Sequence, residues 1–222
     1  LWWLSCQNNQ LTSLGTSNNP ALNQLICHSN GITNLDFTQN TSMSYIWCWQ
    51  NLLTSIDVSM LPNLRDLRCG YQPIGVIDVT NNILLEKLHC QSNTLTTLDV
   101  TNNVSLTELD FSSNPLITTI DISNNPLLKY ISGHFTAISN IDLSIHTNLK
   151  RLNVQSCQLT SLTLTNNVDL EYLRVDNNPV GTVDVSTNIN LTEIHIQNNS
   201  TTNPNWLTTL NLGSTLDLNN IT

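Results

Sequence analysis

Apolar and polar positions alternate along this chain in a pattern that returns every 21 residues. Cys6, Cys27, Cys48, Cys69 and Cys90 are spaced by that step, as are Asn9, Asn30, Asn51, Gln72 and Asn93, and Asp36, Asp57, Asp78 and Asp99. Counting from Leu1, Leu22, Met43, Leu64, Leu85, Leu106, Leu128, Leu149, Leu170 and Leu191, the apolar residues fall at positions 1, 4, 6, 11, 14 and 16. In one repeat these are Leu85, Leu88, Cys90, Leu95, Leu98 and Val100. Positions 4 and 6 alternate with polar neighbours, the period of a strand covered on one face. Each repeat thus predicts one short strand. Positions 14 to 16, as in Leu98-Asp99-Val100, alternate again and predict a second extended segment on the opposite wall. So short a repeat leaves little room for a helix.

A single coil of this size cannot bury its own apolar face, and stacking supplies the missing cover. The expected architecture is a solenoid of about ten right-handed coils, with a parallel sheet on a concave face and a mostly helix-free convex side. Residues 1–200 form the array, and 201–222 an irregular C-terminal coil or cap. In that last segment Ser200 to Trp206 reads as a loop, and Leu207 to Leu212 resumes the convex half of a coil.

Two columns have structural roles. The asparagines at position 9 (Asn9, Asn30, Asn51, Asn93, Asn114, Asn178 and Asn199) can donate and accept, so they suit a tight turn whose backbone groups need partners. Gln72, Thr136 and Cys157 depart from that column. The five cysteines from Cys6 to Cys90 stack on strands about 4.7–4.9 Å apart, and a collinear row neither pairs evenly into disulfides nor surrounds a zinc ion. They are expected to be buried, reduced thiols. Cys157 is expected nearer the coil edge and to be the first thiol labelled. Further on, the cysteine column reads Phe111, Gly133, Val154, a large-for-small exchange. The repeat from Leu106 has 22 residues, the extra one expected near Ile117-Thr118.

Positions 2, 3, 5, 7 and 8 flank the buried pair and form the open face of the sheet. All seven basic residues lie there: Arg65, Arg68, Lys87, Lys129, Lys150, Arg151 and Arg174. So do Tyr45, Tyr71, Tyr130 and Tyr172, Trp2, Trp3, Trp47 and Trp49, and His28, His89, His134 and His195. Acids on this face balance the cations, and Asp66, Lys87 and Glu108, one column, are suited to pair with one another. Chemical variety confined to one sheet face is what recognition requires. The candidate ligand-binding residues are Trp2, Trp3, Tyr45, Trp47, Trp49, Arg68, Tyr71, Tyr130, Arg151, Tyr172 and Arg174. The opposite wall carries the acidic column Asp36, Asp57, Asp78, Asp99, Asp121, Asp142 and Asp184. A straight row does not converge on a calcium ion, and turn hydrogen bonding explains it better.

Composition narrows the function classes. Only 10% of residues are charged, 39% are hydrophobic, and the net charge is -9. That balance argues against nucleic acid as a partner, and no apolar run is long enough for direct membrane insertion. Neither a phosphate-binding glycine loop nor a metalloprotease or serine-hydrolase motif occurs. No enzyme activity, metal or cofactor is expected. Leu1-Trp2-Trp3-Leu4 already fits the repeat and the chain lacks an initiator Met, which suggests a piece of a longer exported protein. Hydroxyl rows at position 12 (Thr12, Thr33, Thr54, Thr96, Thr160) and position 17 (Thr38, Ser59, Thr80, Thr101, Ser123) leave a structural or ice-interacting surface as the alternative function.

The stretch from Leu85 to Asn103 closely matches L-x-x-L-x-C-x-x-N-x-L-T-x-L-D-V-[ST]-x-N, and ten repeats match it recognisably. In this the chain resembles the bacterial leucine-rich-repeat family, particularly its cysteine-ladder branch. The resemblance implies a secreted or surface-anchored adhesion module that binds a protein or glycan on its concave face.

Overall fold

The computed structural model describes residues 1–197 and 207–213. Ten three-residue strands make one parallel sheet: β1 (Trp3–Ser5), β2 (Gln24–Ile26), β3 (Tyr45–Trp47), β4 (Asp66–Arg68), β5 (Lys87–His89), β6 (Glu108–Asp110), β7 (Tyr130–Ser132), β8 (Arg151–Asn153), β9 (Tyr172–Arg174) and β11 (Glu193–His195). They lie in chain order and the described residues contain no helix, as expected for a solenoid of about 21 residues per turn. Register advances by one repeat at each step, so Leu25 pairs with Ile46, Ile46 with Leu67 and Leu67 with Leu88. Between β6 and β7 the step is one longer, Glu108 pairing with Tyr130. The extra residue lies earlier than Ile117-Thr118. Ile117 takes the buried place that Leu95 holds one coil before, while Leu116 is exposed, so the insertion falls at Pro115-Leu116.

The opposite wall is built differently from the open face. Its alternating segments keep their buried and exposed sides, but among the described residues only β10 (Thr182–Asp184) and β12 (Thr209–Asn211) pair there as strands. Elsewhere the wall is held by side chains. Each column aspartate accepts the backbone N–H two residues on, Thr80 to Asp78 at 3.0 Å and Thr101 to Asp99 at 2.9 Å. The hydroxyls of Ser59, Thr80 and Thr101 donate to the same carboxylates at 2.6–2.7 Å. Those hydrogen bonds hold the carboxyls of Asp57, Asp78 and Asp99 below the usual range. The hydroxyls of Ser59, Thr80 and Thr101 therefore serve the turn.

The position-9 turn is hydrogen-bonded across coils. Asn51 donates to the carbonyls of Cys27 and Cys48 at 3.1 and 3.0 Å and accepts the N–H of Ile32 at 3.0 Å. Gln72, a departure in sequence, makes the same three bonds. Among the described residues, the one before it is left-handed in nine coils, from Asn8 (φ 58°) to Asn177 (φ 56°), including Tyr71 and Phe135. This conformation is costly for a side-chain-bearing residue. Its N–H, however, continues the inter-coil ladder past the strand, as in Tyr71 to the carbonyl of Gln91 at 2.8 Å.

A second ladder escaped the sequence reading. Asn40, Asn82, Asn103, Asn125, Asn167 and Asn188 are buried at position 19. Asn103 donates to the carbonyls of Val79 and Asn82, both at 2.9 Å, and the others repeat the pattern. The cysteines are free, and Cys27, Cys48, Cys69 and Cys90 are fully buried. Two thiols correct the expectation. Cys6 in the first coil is only half-buried, whereas Cys157 is buried, its Sγ donating to the carbonyl of Gly133 at 3.2 Å. Cys6 is thus the accessible thiol. The position-9 turn of Cys157 packs against the next coil and does not sit at an edge.

Candidate functional site: the open face of the sheet

Parallel strands in register bring residues one repeat apart side by side. Positions 3 and 5 of each strand project from the open face, and position 7 follows just past the strand. On β3 and its neighbours this produces one continuous stack. His28 lies flat on Trp49 with ring centroids 3.9 Å apart and planes 9° from parallel. Trp49 meets Trp47 at 6.0 Å, and the Arg68 guanidinium lies 4.6 Å from the Trp47 ring centre. Arg68 is held from beneath by Asp66, Nε and Nη2 each donating at 2.9 Å to a different carboxylate oxygen. Asp66 is buried, and its two-pronged bond orients the partly exposed guanidinium. This corrects the expected column pairing of Asp66 with Lys87. The other pair expected in that column forms, Lys87 with Glu108 at 2.5 Å.

The stack is half-buried. The Trp47 indole N–H is buried with no acceptor among the described residues. Burial lowers the His28 pKa, keeping the imidazole that stacks on Trp49 neutral at pH 7. Beside it Trp49, Arg68, Gly70, Tyr71, His89 and Gln91 line a hollow of about 160 Å³. A Cβ on Gly70 would come within 2.8 Å of Gln91, so glycine there lets Gln91 lie across the sheet. Trp2 and Trp3 are more than half exposed on β1 and its approach, two strands from Trp47. Among the described residues no ring contact joins Trp2, Trp3, Tyr45 or Tyr71 to the stack.

The remaining candidates form a second zone. The Arg151 guanidinium lies 4.3 Å from the ring centre of Tyr172, and Arg174 donates to Asp176 at 2.8 Å. Tyr130 sits on the strand between Glu108 and Arg151. Burial, then the nearby Asp110, raise its pKa, so the phenol stays protonated at neutral pH. A depression of about 560 Å³ opens here, lined by His89, Thr107, Glu108, Lys129, Tyr130, Lys150, Arg151 and Glu171. Of these only Tyr130 and Arg151 stood among the sequence candidates. The others are ordinary polar and charged residues whose grouping depends on strand register. Among the described residues no group of His, Cys, Asp or Glu converges on a metal position, and no helix is long and apolar enough to cross a membrane.

Comparison with known structures bears on what this arrangement is. The functional domain of internalin J from Listeria monocytogenes, which includes a cysteine ladder, superposes with a TM-score of 0.59 at 27% identity over 89% of this chain and 58% of that one. The molecule is a leucine-rich-repeat solenoid. A leucine-rich-repeat protein of Leptospira interrogans matches at TM-score 0.78 and 22% identity, over 96% of this chain and 59% of that one. The leucine-rich-repeat ectodomain of the Arabidopsis thaliana receptor kinase GASSHO1/SCHENGEN3, in complex with CASPARIAN STRIP INTEGRITY FACTOR 2, matches at TM-score 0.77 and 23% identity, over 89% and 27%. The solenoid thus spans less than two thirds of the length of each of these structures. No protein-family model and no curated protein sequence matches the chain.

Proposed function

We propose that this solenoid is a non-enzymatic binding and adhesion module, part of a longer exported protein and placed outside the cell or on its surface. Its concave face recognises a protein or glycan ligand. The observation that carries the reading is the four-membered stack His28, Trp49, Trp47 and Arg68, anchored on buried Asp66. Aromatic rings and arginine are the side chains that dominate recognition surfaces. A stack already fixed in place loses little conformational entropy on binding. Solubility does not require two tryptophans on this face.

The ligand is sought by applying the protein to a glycan array and to immobilised extracellular-matrix proteins. Trp49→Ala is the informative variant, because Trp49 is the middle ring of the stack, between His28 and Trp47. We expect an unchanged melting temperature and a loss of at least roughly tenfold in affinity for whichever ligand the parent binds, the size of a typical hot-spot truncation. Equal binding by the folded variant overturns the assignment to this face.

A further inference from the structure

Seven cations lie on the open face, and five of them hold an acid: Arg65 with Glu86, Arg68 with Asp66, Lys87 with Glu108, Lys150 with Glu171 and Arg174 with Asp176. Lys129 and Arg151 have no ion pair among the described residues, and both line the 560 Å³ depression. Strand register explains why. Each paired cation other than Arg68 and Arg174 has an acid one repeat further on in its column. Lys129 is followed by Lys150, a like charge, and preceded by Thr107. Arg151 stands between Tyr130 and Tyr172. The alternation of signs that runs along this face is therefore broken at one place, and that place is a hollow.

We infer that the depression is a subsite for a single carboxylate, supplied by an acidic side chain of a polypeptide partner. Arg151 is laid on the Tyr172 ring at 4.3 Å, which fixes the plane of the guanidinium while leaving its N–H edges free for a two-pronged bond. Lys129 supplies a second positive charge, and a bound anion relieves its repulsion from Lys150. Tyr130, protonated, offers a hydroxyl in the same lining. The acids of the lining decide between sources. Glu108 and Glu171 line the depression too and the chain carries a net charge of -9, so a run of sugar acids meets repulsion. One Asp or Glu among neutral or basic neighbours does not.

This subsite rests on the reading of the open face as a binding surface, but it can be tested without the natural ligand. The probes are N-acetyl-glutamate N-methylamide, its glutamine isostere and oligogalacturonate, titrated into ¹⁵N-labelled protein at low salt and followed by amide chemical shifts. We expect the glutamate probe to shift amides of β6, β7 and β8, the glutamine probe to bind roughly tenfold more weakly for want of a charge-assisted bond, and both Lys129→Gln and Arg151→Gln to abolish the shifts. Trp49→Ala should leave this titration unchanged, which separates failure of the subsite from failure of the aromatic surface. Equal shifts from the glutamine probe, shifts that survive in both cation variants, or tighter binding of oligogalacturonate would each overturn the proposal.

Discussion

The two asparagine ladders are interrupted at Thr136 and Cys157 and at Leu61 and His146, and Cys157 and His146 each make a prediction. A ladder asparagine offers two donors and one acceptor, whereas the Cys157 thiol offers one weak donor, to the Gly133 carbonyl at 3.2 Å. Cys157→Asn should add bonds to the carbonyls of Gly133 and Val154, as Asn178 bonds Val154 and Val175 one coil on. We expect stabilisation by about 1 kcal/mol in urea unfolding. His146 occupies the second ladder fully buried, and neither ring nitrogen completes a hydrogen bond. Burial lowers its pKa, opposed more weakly by the facing carbonyls of Ile122 and Leu143. A histidine with a lowered folded pKa is protonated first in the unfolded chain. Its contribution to stability is therefore complete above about 6.5, the ordinary value, and declines as pH falls below that. His146→Asn should make the melting temperature less dependent on pH between 7.5 and 5.5. A residual slope belongs to His28 and His134, whose pKa values burial also lowers.

Among the elements, the cysteine column shows how neighbouring coils share volume. Phe111 is fully buried where earlier coils carry cysteine, and a Cβ on Gly133, the same position one coil on, would lie 2.4 Å from the Phe111 ring. Gly133 is retained for space, since its φ is not among the positive values. Gly133→Ala should destabilise by about 1–3 kcal/mol through overpacking. Combining it with Phe111→Cys should cost less than the sum of the two single changes, because the smaller side chain vacates the volume the methyl needs. Additive costs in a thermal-melt double-mutant cycle would place the clash elsewhere.

The whole molecule is a one-dimensional stack, so a complete repeat is its unit of deletion. Removing residues 85–105 joins position 21 of one coil to position 1 of another and keeps every remaining pairing one repeat apart. We expect that variant to fold cooperatively with the parent's β-type circular dichroism and a lower melting temperature, since stability in such arrays sums over coils and their interfaces. Removing ten residues from the same coil breaks register for all that follows and should give no cooperative transition.

What the sequence determined by itself was whatever repeats with fixed spacing. The coil length, the parallel sheet, the buried cysteines from Cys27 to Cys90 and the turn role of Asn51 all follow from a 21-residue period combined with the strand period of two. The open face was legible for the same reason, because alternation assigns every residue of a strand to one side. Tertiary structure decided which cations pair along a column, as Arg65, Lys87 and Lys150 do, and which take an acid two residues away in their own coil. Arg68 turns to Asp66 on its own strand, so Lys87 is left to Glu108. It also decided that Trp47 meets the Arg68 guanidinium while Trp49 stacks on His28. The gap at Lys129 and Arg151 is visible only once the other five cations have found their acids. The second asparagine ladder was missed because a buried Asn103 and an exposed Asn102 look alike in sequence. Which of the two turns inward is set by the carbonyls of the coil beneath, Val79 and Asn82.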